Sequence, residues 1–140
     1  MTNDSTQFND LLKSLSVGDP AQRRAAALKL GMMHNPLVVP YLIQAAGDAD
    51  VGVRTLAASG LANAGTAALP KIRKTLTNQH TSAHVRRTLL NALRHMDDPS
   101  TVADIAPLLH DPDETVCRAA AEALRAYDTP QARAALEQAD

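Results

Sequence analysis

Apolar positions recur along this chain in four segments that align with one another at spacings of 31, 32 and 31 residues. Within each segment apolar residues lie three or four positions apart, as Val53, Ala57 and Leu61 do. This interval places them on one side of a helix, which predicts a helix buried along one face. The aligned segments are residues 22–30, 53–61, 85–93 and 116–124. A period of about 20–50 residues is typical of stacked copies of one supersecondary unit, so a repeat protein is predicted.

We call the helices in these segments the B helices, and each follows a residue that favours a helix start. The preceding residues share the same spacing: Asp19, Asp50, Ser82 and Asp113. The side-chain oxygen of Asp or Ser accepts a hydrogen bond from a free N–H in the first turn of a helix. The four residues are therefore predicted to be the N-caps of four B helices.

A second set of helices, the A helices, is marked at the same spacing by Pro36, Ala67, Pro99 and Pro130. Each proline follows a candidate N-cap, which places it at the first helical position, where a missing N–H costs little. These caps are Asn35, Asp98 and Thr129. Residues 8–15 supply an opening A helix, and residues 130–138 supply a closing one anchored by Leu136. Pro107 falls inside the fourth A helix and is expected to kink it, because proline cannot donate the helical hydrogen bond.

The chain is therefore predicted to be all-α, a solenoid of about four A–B helix pairs and a terminal A helix. We expect one repeat domain over residues 8–138, preceded by a disordered polar tail over residues 1–7. The apolar stripes also predict which side chains form the core. They are Val53, Ala57, Leu61, Leu89, Leu93, Ala120 and Leu124.

Composition excludes several classes of protein. Aromatic residues are nearly absent, and alanine allows helices to approach closely. The net charge of −1 provides no global field to attract nucleic acid or a membrane. A single cysteine, Cys117, excludes an internal disulfide and fits a reducing compartment. The polar N-terminus does not resemble a signal peptide, and no apolar run approaches the about 18–20 residues of a membrane span. We therefore expect a cytoplasmic protein.

The pattern Asp-x-x-Val-Arg-x-x-Ala-Ala-x-x-Leu, seen best from Asp50 to Leu61, resembles a HEAT repeat. More narrowly, the repeats are similar to the short HEAT-like repeats of bacterial proteins related to phycocyanobilin lyases. The resemblance covers about residues 8 to 138. It implies a right-handed superhelix with the A helices on the convex side and the B helices on the concave side. It also implies a protein-binding scaffold.

The resemblance further implies a ladder in which the repeated arginine of each unit pairs with an acidic residue near the start of a B helix. The arginines at this position are Arg23, Arg54 and Arg86. The candidate acceptors are Asp19, Asp50 and Asp113, or Asp48 and Asp111 in the preceding turns. The fourth unit departs from the pattern because Cys117 stands at the arginine position.

Candidates for metal or catalytic chemistry are weak. His80 and His84 lie four residues apart, but the predicted cap at Ser82 places His80 in the preceding loop. A solvated pair of histidines is therefore favoured over a metal site. Cys117 has no base at a companion spacing and is interpreted as an inert thiol. We expect neither a metal nor a cofactor, no catalytic residues and no enzymatic activity.

The concave face carries the candidate binding residues. The positions after the repeated arginine, and four and seven residues further on, are expected to face outward on the B helices. In the first two units they are Arg24, Leu28, Gly31, Thr55, Ser59 and Ala62. In the last two they are Arg87, Asn91, Arg94, Arg118, Glu122 and Arg125, with His84 at one edge. Arginine suits planar carboxylate or phosphate partners, although charged residues also keep a helix face solvated.

The leading hypothesis is a non-catalytic scaffold that binds an acidic peptide or protein surface in this groove. One alternative is a nucleic-acid-binding HEAT-like module, against which the near-neutral charge and the lack of stacking aromatics argue. Another is a subunit in phycobilin lyase-type chemistry. The polar residues Arg133, Glu137 and Gln138 on the last helix favour a monomer.

Overall fold

A computed structural model describes the backbone of residues 4–139 and the side chains of residues 5–139. This part of the chain forms nine α-helices and no β-strand. They are α1 (Asp4–Val17), α2 (Pro20–Gly31), α3 (Val39–Ala45), α4 (Val51–Ala64), α5 (Leu69–Thr77), α6 (Ala83–His95), α7 (Val102–Ile105), α8 (Glu114–Tyr127) and α9 (Pro130–Ala139). Odd-numbered helices are the A helices and even-numbered helices the B helices, as predicted. Residues 4–7 belong to α1, while the rest of the expected tail lies outside the described residues.

The B helices begin where the spacing of candidate caps predicts. Asp19 Oδ1 accepts from the Gln22 N–H at 2.9 Å, and the Gln22 side chain accepts from the Asp19 N–H at the same distance. This reciprocal pair is a capping box. The other three caps accept from first-turn N–H groups: Asp50 from Val53, Ser82 from Val85, and Asp113 from Thr115. The four-cap prediction is confirmed.

The B helices also share a feature at their C-terminal ends that was not predicted from the sequence. Each is followed by one residue with a positive φ, and these residues keep the 31-32-31 spacing. They are His34 (51°), Gly65 (62°), Asp97 (56°) and Asp128 (49°). Glycine and short polar residues tolerate this left-handed region better than apolar ones. The left-handed residue reverses the chain into the next A helix.

Proline shapes the A helices. Pro36 and Pro99 each open a 3₁₀ turn, over residues 36–38 and 99–101, before the α-helix begins. The predicted caps Asn35 and Asp98 accept from the N–H two residues on, at 3.0 Å in both cases. In the fourth unit, α7 ends at Ile105 and the chain continues as a 3₁₀ helix over residues 106–110. The predicted disturbance at Pro107 therefore appears as a change of helix type.

The B helices form a closely packed inner layer. The α2, α4, α6 and α8 helices contact their neighbours along much of their length, whereas successive A helices barely touch. In a curved stack the tighter layer lies on the concave side. The backbones of α2 and α4 approach closely, since a Cβ added to Gly31 would lie 2.8 Å from the Gly60 Cα. Gly31 is buried in this crossing, so the expectation that it faces outward is wrong.

The predicted core is confirmed, because all seven residues named from the apolar stripes are fully buried. Polar contacts add to it across the repeats. The Tyr127 hydroxyl donates to the Leu93 carbonyl at 2.5 Å and accepts from the Asp98 N–H at 3.2 Å. The buried Thr88 hydroxyl lies 2.9 Å from the Ala46 carbonyl. Tyr127 thus joins the fourth unit to the third, and Thr88 joins the third unit to the second.

Leu93→Ala tests the core. Because Leu93 is fully buried on α6, the change should lower the free energy of unfolding by about 2–5 kcal/mol. Leu28→Ala is the matched control, since Leu28 is 48% exposed on α2 and should cost less than about 1 kcal/mol. Urea unfolding measures both variants. Equal losses would contradict the assignment of Leu93 to the core.

Candidate interaction surface

The eight candidate binding residues all reach solvent and lie on the B helices. Six are exposed: Arg24, His84, Arg94, Arg118, Glu122 and Arg125. Arg87 and Asn91 are partly buried. Arg24 lies on α2, while the other seven lie on α6 and α8. The residues therefore gather on the C-terminal half of the concave layer rather than along its whole length.

The N-terminal half of the concave face carries little free charge. Arg24 is engaged within the stack, since its Nη1 lies 3.3 Å from Asp50 Oδ1. The neighbouring outward positions Leu28, Thr55 and Ser59 are exposed and uncharged. This half is consequently neutral and partly apolar.

The C-terminal half is basic. Among residues 5–139, no carboxylate forms an ion pair with Arg94, Arg118 or Arg125. Glu122 is the single acidic residue among the eight candidates. Three guanidinium groups on α6 and α8 thus remain free to bind an external anion.

Arg87, unlike Arg94, Arg118 and Arg125, is held in place by hydrogen bonds to other side chains among residues 5–139. Its Nη1 donates to the Thr115 hydroxyl on α8 at 2.5 Å, and its Nη2 lies 2.7 Å from His84 Nδ1. Hydrogen bonds from Thr115, helped by the charge of Arg87, hold the pKa of Asp113 below its ordinary value of 3.8. Arg87 therefore joins α6 to α8 as well as adding positive charge to the groove.

The arginine ladder is present in two of the unit junctions. Arg23 Nε lies 3.0 Å from Asp48 Oδ2, and Arg86 Nε lies 2.9 Å from Asp111 Oδ2. Both acceptors stand two residues before the N-cap of the next B helix. Of the alternatives that the sequence left open, the turn residues are therefore the acceptors of this ladder. The helix caps Asp19, Asp50 and Asp113 serve first-turn N–H groups instead.

Asp48 shows how such a junction is held. Burial raises the pKa of its carboxyl, but the hydrogen bonds from Arg23 and from the Asp50 N–H outweigh this effect. The charges of Arg23 and Arg54 act in the same direction, so the pKa of Asp48 lies below its ordinary value of 3.8. The carboxylate is ionised at neutral pH and bridges two units.

The junction between the second and third units lacks this pair. Counted back from the N-cap Ser82, the position of Asp48 and Asp111 is occupied by His80. Arg54 Nη1 donates to the carbonyls of Asp48 and Ala49 at 2.7 and 3.1 Å. No carboxylate of the described residues forms an ion pair with Arg54. The expectation that Arg54 forms an ion pair with an acid is wrong: the next unit has His80 at the acceptor position, and Arg54 acts on the carboxylate of Asp48 in the preceding turn only through its charge.

The ladder ends at the fourth unit. Cys117 stands at the arginine position, and its thiol donates to the Asp111 carbonyl at 2.9 Å. Arg54 makes the equivalent contact in the second unit, where it donates to the Asp48 carbonyl. Within residues 4–139, α8 is the last B helix.

The described part of the chain holds neither a cluster of metal-ligating side chains nor a membrane-spanning helix. There, no three His, Cys, Asp or Glu side chains come together as a metal site. His84 is occupied by its contact with Arg87, while His80 is exposed in the loop before α6. Within residues 4–139, every helix is too short or too polar to cross a lipid bilayer.

Comparison with known proteins agrees with this architecture. The family model described as HEAT repeats matches residues 8–81 and again residues 69–139. The two matches together span nearly the whole chain, and the chain belongs to the HEAT repeat family. No curated protein matches it at a significant level.

His80→Asp tests the gap in the ladder. A carboxylate at this position should pair with Arg54 and raise the free energy of unfolding by about 0.5–1 kcal/mol, as a partly exposed ion pair does. His34→Asp is the control, because it makes the same charge change at an exposed turn residue of positive φ. Urea unfolding at neutral pH compares the two. If His34→Asp stabilises as much as His80→Asp, the gap has no specific partner.

Proposed function

We propose that this chain is a non-catalytic scaffold that binds an acidic peptide or protein surface along the C-terminal half of its concave face. The observation that carries the proposal is the group of exposed arginines Arg94, Arg118 and Arg125 on α6 and α8, which form no ion pair with any carboxylate of residues 5–139. HEAT repeats commonly serve as protein-interaction scaffolds, which supports the choice of a protein partner.

The charge distribution favours an acidic partner. The whole chain is nearly neutral, so attraction of a partner depends on local fields rather than on net charge. A guanidinium presents several N–H donors in a planar fork that matches a carboxylate. Because these arginines are exposed and unpaired, an acidic ligand would not have to displace an internal carboxylate to reach them.

The neutral half of the groove favours a partner that is not purely acidic. Leu28 is 48% exposed and Val51 is 66% exposed, both on B helices. Exposed apolar side chains next to charged ones are typical of surfaces that bind mixed acidic and apolar segments. A peptide that lies across both halves would place its acidic residues toward α6 and α8.

The proposal is tested on an array of 15-residue peptides. Each acidic peptide is paired with the same sequence in which Glu becomes Gln and Asp becomes Asn. We expect the protein to bind acidic members only, and the double change Arg118→Glu and Arg125→Glu to weaken binding at least about tenfold. Fluorescence anisotropy on the strongest peptides measures the affinities.

The matched control is Lys71→Glu with Lys74→Glu. These lysines are exposed on α5 in the A layer, so the same charge change on the convex side should alter affinity by no more than about twofold. Equal binding of the neutral peptides, or equal weakening by both double changes, would contradict the proposal. A labelled DNA duplex that binds more tightly than every acidic peptide would instead favour a nucleic-acid module.

A further inference from the structure

A small depression opens on the concave face between α4 and α6. Its volume is about 160 Å³. It is lined by Val51, Arg54, Thr55, His84, Arg87, Thr88 and Asn91. No acidic side chain is among them, although two arginines are. The carboxylates that act on these two arginines, Asp48 on Arg54 and Asp113 on Arg87, lie outside the lining.

The gap in the ladder accounts for this imbalance. Arg23 and Arg86 each receive a carboxylate from the next unit, whereas Arg54 faces a unit that has His80 at that position. Nη1 of Arg54 bonds two backbone carbonyls. Within residues 5–139, its Nε and Nη2 donate to no acceptor. Arg54 is only partly exposed, so its free donors lie where an incoming acceptor is partly shielded from water.

Two further donors line the same depression. A guanidinium can only donate, so His84 Nδ1 accepts from Arg87 and the ring carries its proton on Nε2. The Asn91 side-chain amide makes no hydrogen bond to any described residue. The hydroxyls of Thr55 and Thr88 are already engaged, on the carbonyl of Val51 and on the carbonyls of Ala46 and His84. Among residues 5–139, the donors that remain in this lining are those of Arg54, His84 and Asn91, together with Nε of Arg87.

We propose that this depression binds one side-chain carboxylate, from an Asp or Glu of the acidic peptide that the groove accommodates. The inference rests on the proposed function and assigns it a specific subsite. The ligand would give Arg54 the carboxylate that the chain itself gives to Arg23 and Arg86. Two carboxylate oxygens suit the few free donors. A phosphate has three oxygens and nearly twice the charge, and both terminal nitrogens of Arg87 are already engaged by Thr115 and His84.

Asn91→Asp is the test variant, because it replaces a free amide by a carboxylate of the same shape. The new carboxylate would pair with Arg54 and repel the ligand. Asn9→Asp is the control, since Asn9 is exposed on α1 and makes the same charge change far from the groove. Both are isosteric surface changes that leave the core intact.

The measurement is a mutant cycle with the tightest acidic peptide of the array. Each of its acidic residues is changed singly to the amide, and affinity is measured by anisotropy. In the unmodified protein, the amide change at one peptide position should weaken the affinity about tenfold. With Asn91→Asp the same peptide change should cost no more than about twofold, whereas with Asn9→Asp the tenfold cost should remain.

A second measurement follows Arg54 directly. The Nε–H resonance of Arg54 should shift on titration with the acidic peptide and stay in place with the peptide that carries the single amide. Absence of that shift, or an equal peptide cost in the Asn91→Asp and Asn9→Asp proteins, overturns the subsite. If Arg118→Glu with Arg125→Glu still abolishes binding in that case, the proposed function stands without it.

Two other results bear on the ligand. If phosphoserine at the sensitive position binds more than about tenfold tighter than Glu, the subsite is a phosphate site and the carboxylate assignment is wrong. If no acidic peptide binds the unmodified protein, the proposed function fails and the subsite fails with it.

Discussion

The close packing of neighbouring B helices is the constraint on which the rest of the structure depends. At the crossing of α2 and α4, Gly31 and Gly60 bring the two backbones so near that a single Cβ would not fit without a shift. Buried alanines also lie in α6 (Ala92) and α8 (Ala120 and Ala123), among larger apolar residues. The A helices have fewer contacts with one another than the B helices do. This arrangement fits a stack whose B helices lie on the concave side, as the family resemblance implies.

Polar contacts then fix each unit against the next. Asp48 and Asp111 receive arginines from the preceding unit, and Tyr127 and Thr88 reach backbone carbonyls of other units. One junction omits its carboxylate and leaves donors of Arg54 unused. That junction also contains the depression, which lies between α4 and α6 where the neutral and basic halves of the groove meet. The proposed ligand subsite is therefore the junction at which hydrogen-bond donors of Arg54 have no acceptor among residues 5–139.

Much of the fold could be predicted from the sequence, because caps, prolines and apolar stripes act within a single helix and keep their phase along the chain. The candidate site was harder to predict from the sequence, because its geometry depends on contacts between different units. Gly31 occupied a nominally outward phase but is buried, since its surroundings are set by Gly60 from another unit. The ladder arginines Arg23 and Arg86 each pair with an aspartate 25 residues further along the chain. The residue pattern within one helix does not show which distant side chain an arginine contacts. The sequence would have shown that Arg54 lacks a carboxylate partner if the acceptor position, two residues before the N-cap, had been known, because His80 occupies it.

The central claim is that the inner layer of B helices recognises an acidic partner. Paramagnetic broadening by a nitroxide-labelled acidic peptide tests it most directly, because the label reports which face of the stack the peptide touches. The account predicts intensity loss at the backbone amides of Arg87 and Arg118, with the amides of Lys71 and Lys74 unaffected. Loss centred on α5, or spread evenly over both layers, would contradict it.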